Sequence, residues 1–519
     1  MKQIHTIDRD QLQMTSMDMM VADDSMVRLL DVFMDWAMST DLGFKISDQK
    51  TGRPSFPLRT LLGIYVYGYI HRIRSSRELA KECKRNIEMM WLLKGHRPCY
   101  KTIANFRKDN GVGFRNLFKE YRDFCNTLEL YGKEVVAIDG SKFRAQNSMK
   151  NNYNKAKIER HLDYIETGAE EYLKTLNAED KKRVEANPAS DERLSILSIR
   201  RLKYENLKEQ LEASEETQIS TSDPDARALP LHMRIVRIGY NLQSAVDGKH
   251  NLVVDYEVTN RNDHRALAPM ALKAKEALKL KKEDELTVLA DKGYHTGDQL
   301  EQCHQNNIKT IVAFPRKAKR TDGSKPLHLR KENFTYNSKT NTYSCPKGEE
   351  LTHQGRYQKR NRKGQPAGLL DRYSIKFSIC KNCEFLEPCV SKSNISRHRG
   401  RYLDRYVTDQ AIERNKINIQ NNKELFKRRQ AMVEHPFGTI KRQWGFTHTL
   451  MKTIPKVKTE FSIIMLCYNL RRTMSILSLD GLKEALKRAF SLLFPMRGFI
   501  KYLKNKEYLF YHQYPYIVR

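Results

Sequence analysis

The sequence predicts an α/β protein in which a largely helical region precedes a mixed sheet. Two short apolar runs, Val135–Ile138 and Leu286–Ala290, carry the sheet prediction, and each is followed by an aspartate with a glycine nearby. Continuous apolar runs of this length are typical of strands buried on both faces. The runs alternate with segments of helical periodicity, and in α/β sheets active sites gather outside the strand ends. We therefore expect both aspartates at strand ends, with the glycine after Asp139 allowing close approach of another chain or a ligand.

Residues 1–130 are predicted to form a helical domain. Helices are expected over Leu58–Ile73, Asn86–Leu93 and Tyr100–Asn110, and Ser75 or Ser76 can cap a further helix. Short helices with basic residues on the later ones are typical of a helix-turn-helix DNA-binding domain. The alternative is an ordinary helical bundle with a solvated basic face. The candidate DNA contacts of this region are Arg74, Arg77 and Arg107.

The remaining elements are predicted in chain order from residue 145 onward. Residues 145–230 are charged and helix-prone, which predicts a protruding helical hairpin. Two strands follow around a two-residue Asp247-Gly248 turn, because that dipeptide favours a tight hairpin. The later predictions are the strands Arg234–Ala245, Asn251–Thr259 and Lys309–Phe314, the helices Ala266–Leu280 and His295–Asn306, and a basic C-terminal tail at 476–519.

The chain of 519 residues is strongly basic. Its 93 Lys and Arg residues against 62 Asp and Glu residues leave a formal net charge of +31. Such an excess favours a polyanionic partner, because phosphates neutralised by the protein release counterions; a merely soluble basic protein or a ribosome-associated factor is the alternative. The sequence shows neither a signal peptide nor a long apolar span. We expect an intracellular protein that binds nucleic acid and no membrane.

Three separated carboxylates, Asp139, Asp291 and Glu434, are the candidate catalytic residues. Acids from distant segments can together hold two divalent metal ions, which activate a water or hydroxyl and stabilise a leaving oxygen. Each acid alone would more often be a surface or capping residue. Pro436 strains a mid-helix position, so we expect Glu434 just before or within the first turn of a helix. Lys441, two turns later, is expected to touch a phosphate.

Four of the nine cysteines cluster late in the chain, at Cys345, Cys380, Cys383 and Cys389. A Cys-x-x-Cys pair with two further thiolates is typical of a structural zinc site. Unmetallated buried thiols and redox chemistry remain the alternatives. A closed four-sulfur site has no open position, so we expect no catalysis there.

The acidic motifs resemble those of the bacterial insertion-sequence DDE transposases. The resemblance is carried by Ala137-Ile138-Asp139-Gly140-Ser141-Lys142, Ala290-Asp291-Lys292-Gly293-Tyr294 and Val433-Glu434-His435-Pro436-Phe437-Gly438. The segments Arg74–Leu79 and Lys101–Arg107 are similar to the amino-terminal domain of the same proteins. The four-cysteine stretch before the glutamate also occurs in one branch of these proteins. The resemblance covers roughly residues 10–475.

The resemblance implies an RNase H-like catalytic domain over 131–475, interrupted by the hairpin at 145–230 and by a four-cysteine insertion at 335–405. It further implies two divalent metal ions, normally Mg²⁺, held by Asp139, Asp291 and Glu434. The implied reaction is cleavage of double-stranded DNA at the element's ends, followed by strand transfer into target DNA, by a homodimer acting at the cytoplasmic nucleoid. The alternatives are a metal-dependent nuclease without strand transfer and a DNA-binding regulator on the same fold.

The chain departs from one family pattern around the glutamate. Related transposases often carry Tyr-x-x-Arg-x-x-x-Glu-x-x-x-x-x-x-Lys; Lys441 fits the last place, but Lys427 and Gln430 stand where Tyr and Arg would be. Arg428 or Arg429 is therefore a candidate substitute for the missing arginine. The expected phosphate contacts of the catalytic domain are Lys142, Lys292, Arg428, Arg429 and Lys441.

Overall fold

The structure is a computed structural model. It describes residues 10–12, 14–45, 54–180, 188–214, 216–232, 235–315, 329–360 and 364–513. The chain divides into two compact units. The first consists of Met1–Asp263, Lys273–Leu280 and Gln430–Arg519, and the second of His264–Leu272 and Lys281–Arg429.

The amino-terminal part of the first unit is helical, as predicted. Side-chain caps explain where several helices begin: Ser25 accepts from the amide of Val27, and Ser75 accepts from the amide of Glu78. The predicted cap at Ser75 is thus confirmed. The helices are α1 (Met26–Met38), α2 (Leu58–Ile70), α3 (Ser76–Arg85), α4 (Ile87–Leu92), α5 (Tyr100–Asp109) and α6 (Gly111–Thr127).

An antiparallel sheet follows in the first unit. Its long central strand, β5 (Ile235–Asp247), pairs with β1 (Val135–Arg144) along one edge and with β4 (Arg227–His232) and β6 (Val253–Thr259) along the other. Between β1 and β4 lie two long helices and a small two-stranded ladder, so the helical hairpin predicted at 145–230 is present as two helices that pack together. The elements are β1 (Val135–Arg144), β2 (Asn152–Asn154), α7 (Lys155–Asp180), α8 (Pro188–Ala213), β3 (Gln218–Ser220), β4 (Arg227–His232), β5 (Ile235–Asp247) and β6 (Val253–Thr259).

The connection between β5 and β6 is longer than predicted. Val246 pairs with Val253, so the prediction of a two-residue turn at Asp247-Gly248 is wrong. The Asp247 carboxylate accepts from the amides of Gly132 (3.0 Å) and Lys249 (2.9 Å). Asp247 therefore anchors the segment before β1 instead of closing a tight hairpin, because a buried carboxylate must find donors. The predicted start of this strand at Arg234 lies outside the described residues.

The second unit contains a parallel strand pair flanked by helices. After α9 (Leu267–Ala277), whose residues are shared between the units, come β7 (Leu286–Ala290), α10 (Gly297–Gln305) and β8 (Ile308–Val312). β7 and β8 pair in parallel from Leu286–Ile308 to Ala290–Val312. These elements were predicted, with ends differing by a few residues.

A five-stranded antiparallel sheet completes the second unit. Its strand order is β13-β12-β11-β10-β9, and its core contains Tyr343, Leu351, Tyr373 and Leu403. The elements are β9 (Thr335–Asn337), β10 (Thr342–Ser344), β11 (Glu350–Arg360), β12 (Pro366–Ser374), α11 (Phe377–Lys381), α12 (Leu386–Cys389), α13 (Lys392–Ser396), β13 (Tyr402–Tyr406) and α14 (Asp409–Asn421). The side chain of Asn415 on α14 bonds to both backbone groups of Val312 in β8. It accepts from the amide at 2.8 Å and donates to the carbonyl at 2.9 Å.

The last helices are α15 (Lys423–Gly438) and α16 (Ile454–Gln513), with a π-helical turn over Thr439–Gln443. α16 is broken at Ser478, where φ is +64°. Its first half packs on the sheet of the first unit: Asn469 accepts from the amide of Val253 in β6 at 2.9 Å and donates to its carbonyl at 2.8 Å. The predicted C-terminal tail is helical as far as Gln513. Within the described ranges, no helix has the length and apolar character needed to cross a membrane.

Candidate active site

Asp139 lies inside β1, five residues before the strand ends at Arg144. The prediction that the strand stops at this aspartate is therefore wrong. Pairing with β5 continues the strand, since Asp139 faces Ser244 and the register runs on to Arg144 opposite Gly239. The side chain is half-buried, and its Oδ1 accepts from the amide of Gly140 at 2.8 Å.

Lys441 is anchored to the same strand. Its Nζ donates to the carbonyl of Lys142 at 2.7 Å and lies 4.4 Å from the centre of the Phe143 ring. The pKa of Lys441 is lowered to about 8, first by burial and then by the positive charge of Lys142, while the negative charge of Asp139 opposes the shift. The residue seven places after Glu434 thus lies within the electrostatic reach of Asp139.

Side chains of the same unit approach Gly140 closely, whereas the approach of another chain or a ligand stays a prediction. A Cβ at Gly140 would lie 2.2 Å from Oδ1 of Asp263 and 2.5 Å from Nε2 of Gln243, so no other residue fits without displacing them. Asp263 accepts from Asn241 and Gln243, each at 2.7 Å, and pairs with Lys142 at 3.5 Å. Sequence reasoning missed Asp263, and only the glycine hinted that something must lie there.

Glu434 is exposed on α15, well inside the helix. The expectation that it begins a new helical segment is wrong: Pro436 is accommodated within α15, where it is buried beside Val433 and Phe437. The irregularity appears later, in the π-turn, where the Trp444 amide bonds to the carbonyl of Thr439.

Gln430 holds the carboxylate of Glu434. Its Nε2 donates to Oε1 of Glu434 at 2.8 Å, one helical turn away. Gln430 occupies the place where the family pattern has arginine. The glutamate is therefore contacted by a neutral amide and not by the charged guanidinium of an arginine.

Asp291 lies in the second unit and directly follows β7, as predicted. It caps the short turn Lys292–Tyr294, with Oδ1 accepting from the amide of Lys292 at 2.7 Å. Its Oδ1 is also 3.9 Å from Nη2 of Arg429, in the same unit. Arg429, one of the two expected substitutes for the missing arginine, is therefore paired with an acid of the proposed triad.

The four clustered cysteines line one cavity of the second unit. Two tight turns shape it: the Gly348 amide bonds to the carbonyl of Cys345, and the Cys383 amide bonds to that of Cys380. Burial raises the pKa of Cys380, and the neighbouring thiols of Cys383 and Cys345 raise it further. The predicted clustering of these sulfurs is therefore present.

The structure corrects two of the expected DNA contacts. Arg74 is 8% exposed and pairs with the fully buried Glu460 at 2.9 Å, and Arg107 is 7% exposed and donates to the hydroxyl of Tyr69 at 2.8 Å. Both guanidinium groups are used inside the protein, because buried charges need partners. Arg77, by contrast, is exposed beside the ring of Tyr100.

The other expected contacts differ in exposure. Lys292 and Arg428 are exposed, whereas Lys142, Arg429 and Lys441 are half-buried. Across the part of the chain that the structure describes, no group of three or more His, Cys, Asp and Glu side chains is arranged to hold a metal ion.

Comparison with known protein families gives two matches. Residues 15–109 match the family described as Transposase domain (DUF772), and residues 236–470 match the Transposase DDE domain. The second match contains Asp291 and Glu434, and Asp139 lies before it. No curated protein sequence matches the chain.

One solved structure is a piggyBac transposase synaptic complex with hairpin DNA, determined by cryo-electron microscopy. The two sequences are 10% identical, and the alignment covers 92% of this chain and 82% of the piggyBac chain. The TM-score is 0.33, which is too low to carry a structural argument. The two family matches are independent of it and agree with each other. On these matches, the chain belongs to the insertion-sequence DDE transposases and is a DNA transposase.

Proposed function

We propose that Asp139, Asp291 and Glu434 are the catalytic carboxylates of this transposase and that they hold two Mg²⁺ ions. Oxygen ligands are those that Mg²⁺ prefers, and all three side chains are at least partly accessible to solvent. The observation that carries the proposal is the anchoring of Lys441, seven residues after Glu434, to the strand of Asp139. When bound, the two ions would activate the attacking oxygen and stabilise the leaving one.

The chain's own residues would position the DNA. Lys441, Lys142, Lys292, Arg428 and Arg429 are the phosphate contacts that we propose for the catalytic domain, with Lys142 oriented by Asp263. Arg77 on α3 is the remaining candidate of the amino-terminal helices, which we propose bind the element's ends as a helix-turn-helix. Cleavage then frees a 3′ hydroxyl, and transfer joins it to a target phosphodiester, so the number of phosphodiester bonds is conserved in the second step.

We propose that β1, β5, β6, β7 and β8 belong to an RNase H-like domain, with the α7–α8 hairpin and the cysteine-containing sheet as insertions. A homodimer bringing two element ends together, at the nucleoid in the cytoplasm, is the assembly we propose.

For Cys345, Cys380, Cys383 and Cys389 we propose structural zinc. Four thiols are the donor set that structural zinc prefers; these four line one cavity, and Cys345 and Cys380 each begin a tight turn there. These residues would crosslink the loops of the small sheet, which has only a small core of its own.

Substitution of Asp291 tests the assignment. Asp291→Asn should abolish cleavage of a duplex carrying the element's end and leave its binding close to that of the unaltered protein. A pre-cleaved end offered with target DNA then separates a transposase from a nuclease, because only strand transfer joins the two molecules. Cleavage by the Asp291→Asn protein at the unaltered rate would show that this aspartate is wrongly assigned.

A further inference from the structure

A cationic cleft lies in the first unit and is lined in part by His435, the residue that follows Glu434. It is an open cleft of about 180 Å³ between α15 with its π-turn and the first half of α16. The residues that line it are His435, Thr439, Gln443, Tyr468, Arg471, Arg472 and Ser475. None of the residues lining it is acidic, and two of them are arginines.

The two arginines are not neutralised by acids. In the described part of the chain, neither guanidinium has a carboxylate within 4 Å, whereas Arg74 and Arg107 are both buried with polar partners. Arg472 is oriented by one bond, from its Nε to the carbonyl of His250 at 2.7 Å. That bond directs the guanidinium while leaving its charge uncompensated.

The rest of the cleft is prearranged. Tyr468 donates to the carbonyl of Asn251 at 2.7 Å, and its oxygen lies 2.7 Å from Nδ1 of His435, which fixes both rings. The hydroxyl of Thr439 donates to the carbonyl of His435 and that of Ser475 to the carbonyl of Arg471, so they are not the recognition groups. Recognition of an anion would rest on the two guanidinium groups and on the amide of Gln443.

Such a site fits a phosphate group. Guanidinium groups match the geometry of phosphate oxygens, and an unpaired pair of them at the surface favours a dianionic or polyanionic ligand. We propose that this cleft binds a backbone phosphate of the DNA, through Arg471 and Arg472, at a position separate from the three catalytic acids. The inference rests on the proposed function in taking DNA as the ligand. It adds a contact that the acidic motifs and the family pattern around Glu434 do not contain.

Salt dependence of DNA binding tests the inference. The parent protein would be the full chain carrying Asp139→Asn, so that binding is measured without cleavage, and the probe a fluorescent duplex carrying the element's end. Arg471→Ala and Arg472→Ala should each weaken binding and make the plot of log affinity against log salt shallower by about 0.9, the value for one lost phosphate contact. Arg488→Ala, an exposed arginine farther along α16, is the matched control and should leave the slope unchanged.

Two controls keep the result interpretable. Thermal unfolding checks that each variant folds; Arg472→Ala also loses the bond to His250, so Arg471→Ala carries the test if the former is unstable. Arg471→Lys, which keeps the charge, should recover most of the affinity. Inorganic phosphate alone is the second probe, because a free anion has the same chemistry as a DNA phosphate.

The outcomes separate the hypotheses. If Arg471→Ala and Arg472→Ala both showed the same salt-dependence slope as Arg488→Ala, the inference would be overturned and the proposed function would stand. The DNA assignment would also be overturned if phosphate raised the melting temperature of the parent but not of Arg471→Ala, with unchanged DNA slopes, since the cleft would then be a free-anion site. No binding of the end duplex by the parent protein would reject the proposed function and the inference together.

Discussion

The side-chain amide of Gln430 donates a hydrogen bond of 2.8 Å to the carboxylate of Glu434, one turn later on α15. In the related pattern this place belongs to arginine, which would bring a positive charge to the glutamate. Here the bond orients the carboxylate without neutralising it, and the nearby Arg429 pairs with Asp291 instead. The replacement of the family arginine by Gln430 therefore changes the group that contacts Glu434 from a charged guanidinium to a neutral amide.

Gln430→Ala should slow cleavage by about tenfold, since a hydrogen bond to a charged group is worth roughly 1.5 kcal/mol. Gln430→Arg should retain activity, because its guanidinium can make the same contact. Single-turnover cleavage of an end duplex measures both. Equal rates for the alanine variant and the unaltered protein would show that Glu434 does not need this orientation.

Arg74 and Arg77 should behave oppositely although they are three residues apart. Arg74→Ala leaves the carboxylate of Glu460 buried without its positively charged partner and should lower the free energy of unfolding by about 3–5 kcal/mol. Arg77→Ala, at an exposed position, should change stability by less than about 0.5 kcal/mol. Urea denaturation measures the first effect. DNA-binding assays should show weakened binding by Arg77→Ala, and unchanged binding would remove Arg77 from the contacts.

Lys441 should make DNA binding sensitive to pH. Its pKa of about 8 in the folded protein means that the amine is mostly charged at pH 7 and mostly neutral at pH 9. Affinity for the end duplex should therefore fall as pH rises through about 8. Lys441→Arg should remove this loss by staying charged, and Lys441→Met should bind weakly at both pH values. Parallel pH profiles for all three proteins would contradict a phosphate contact from Lys441.

The cysteine cluster should contain one zinc ion per chain. Elemental analysis of the purified protein measures it, and Cys380→Ser or Cys383→Ser should lose the metal. Cys99→Ser is the control, because this exposed thiol lies in the amino-terminal helices and outside the cluster. Zinc that persisted in Cys380→Ser, or its absence from the unaltered protein, would contradict the zinc proposal.

The local sequence pattern was sufficient to predict much of the fold. Apolar runs predicted β1 and β7, and helical spacing together with a capping serine predicted α3. These features depend on neighbouring residues, so a single sequence contains the information. The clustering of the cysteines was also predicted from spacing within one segment.

Features that depend on distant partners could not be predicted. Arg74 and Glu460 are 386 residues apart, and nothing near Arg74 indicates that it is buried. Asp263 reaches Gly140 only because the register of β1 and β5 places Gln243 opposite that glycine. Likewise, Pro436 is tolerated inside α15 because of tertiary packing, which overrides its local tendency to break a helix.

Cleavage of a labelled duplex carrying the element's own end, with and without Mg²⁺, tests the central claim most directly. The three-carboxylate assignment predicts nicking at the element's end that requires Mg²⁺ and disappears in Glu434→Ala, while that variant still binds the duplex. Undiminished nicking by Glu434→Ala, or nicking that proceeds equally well in a chelator, would contradict the assignment.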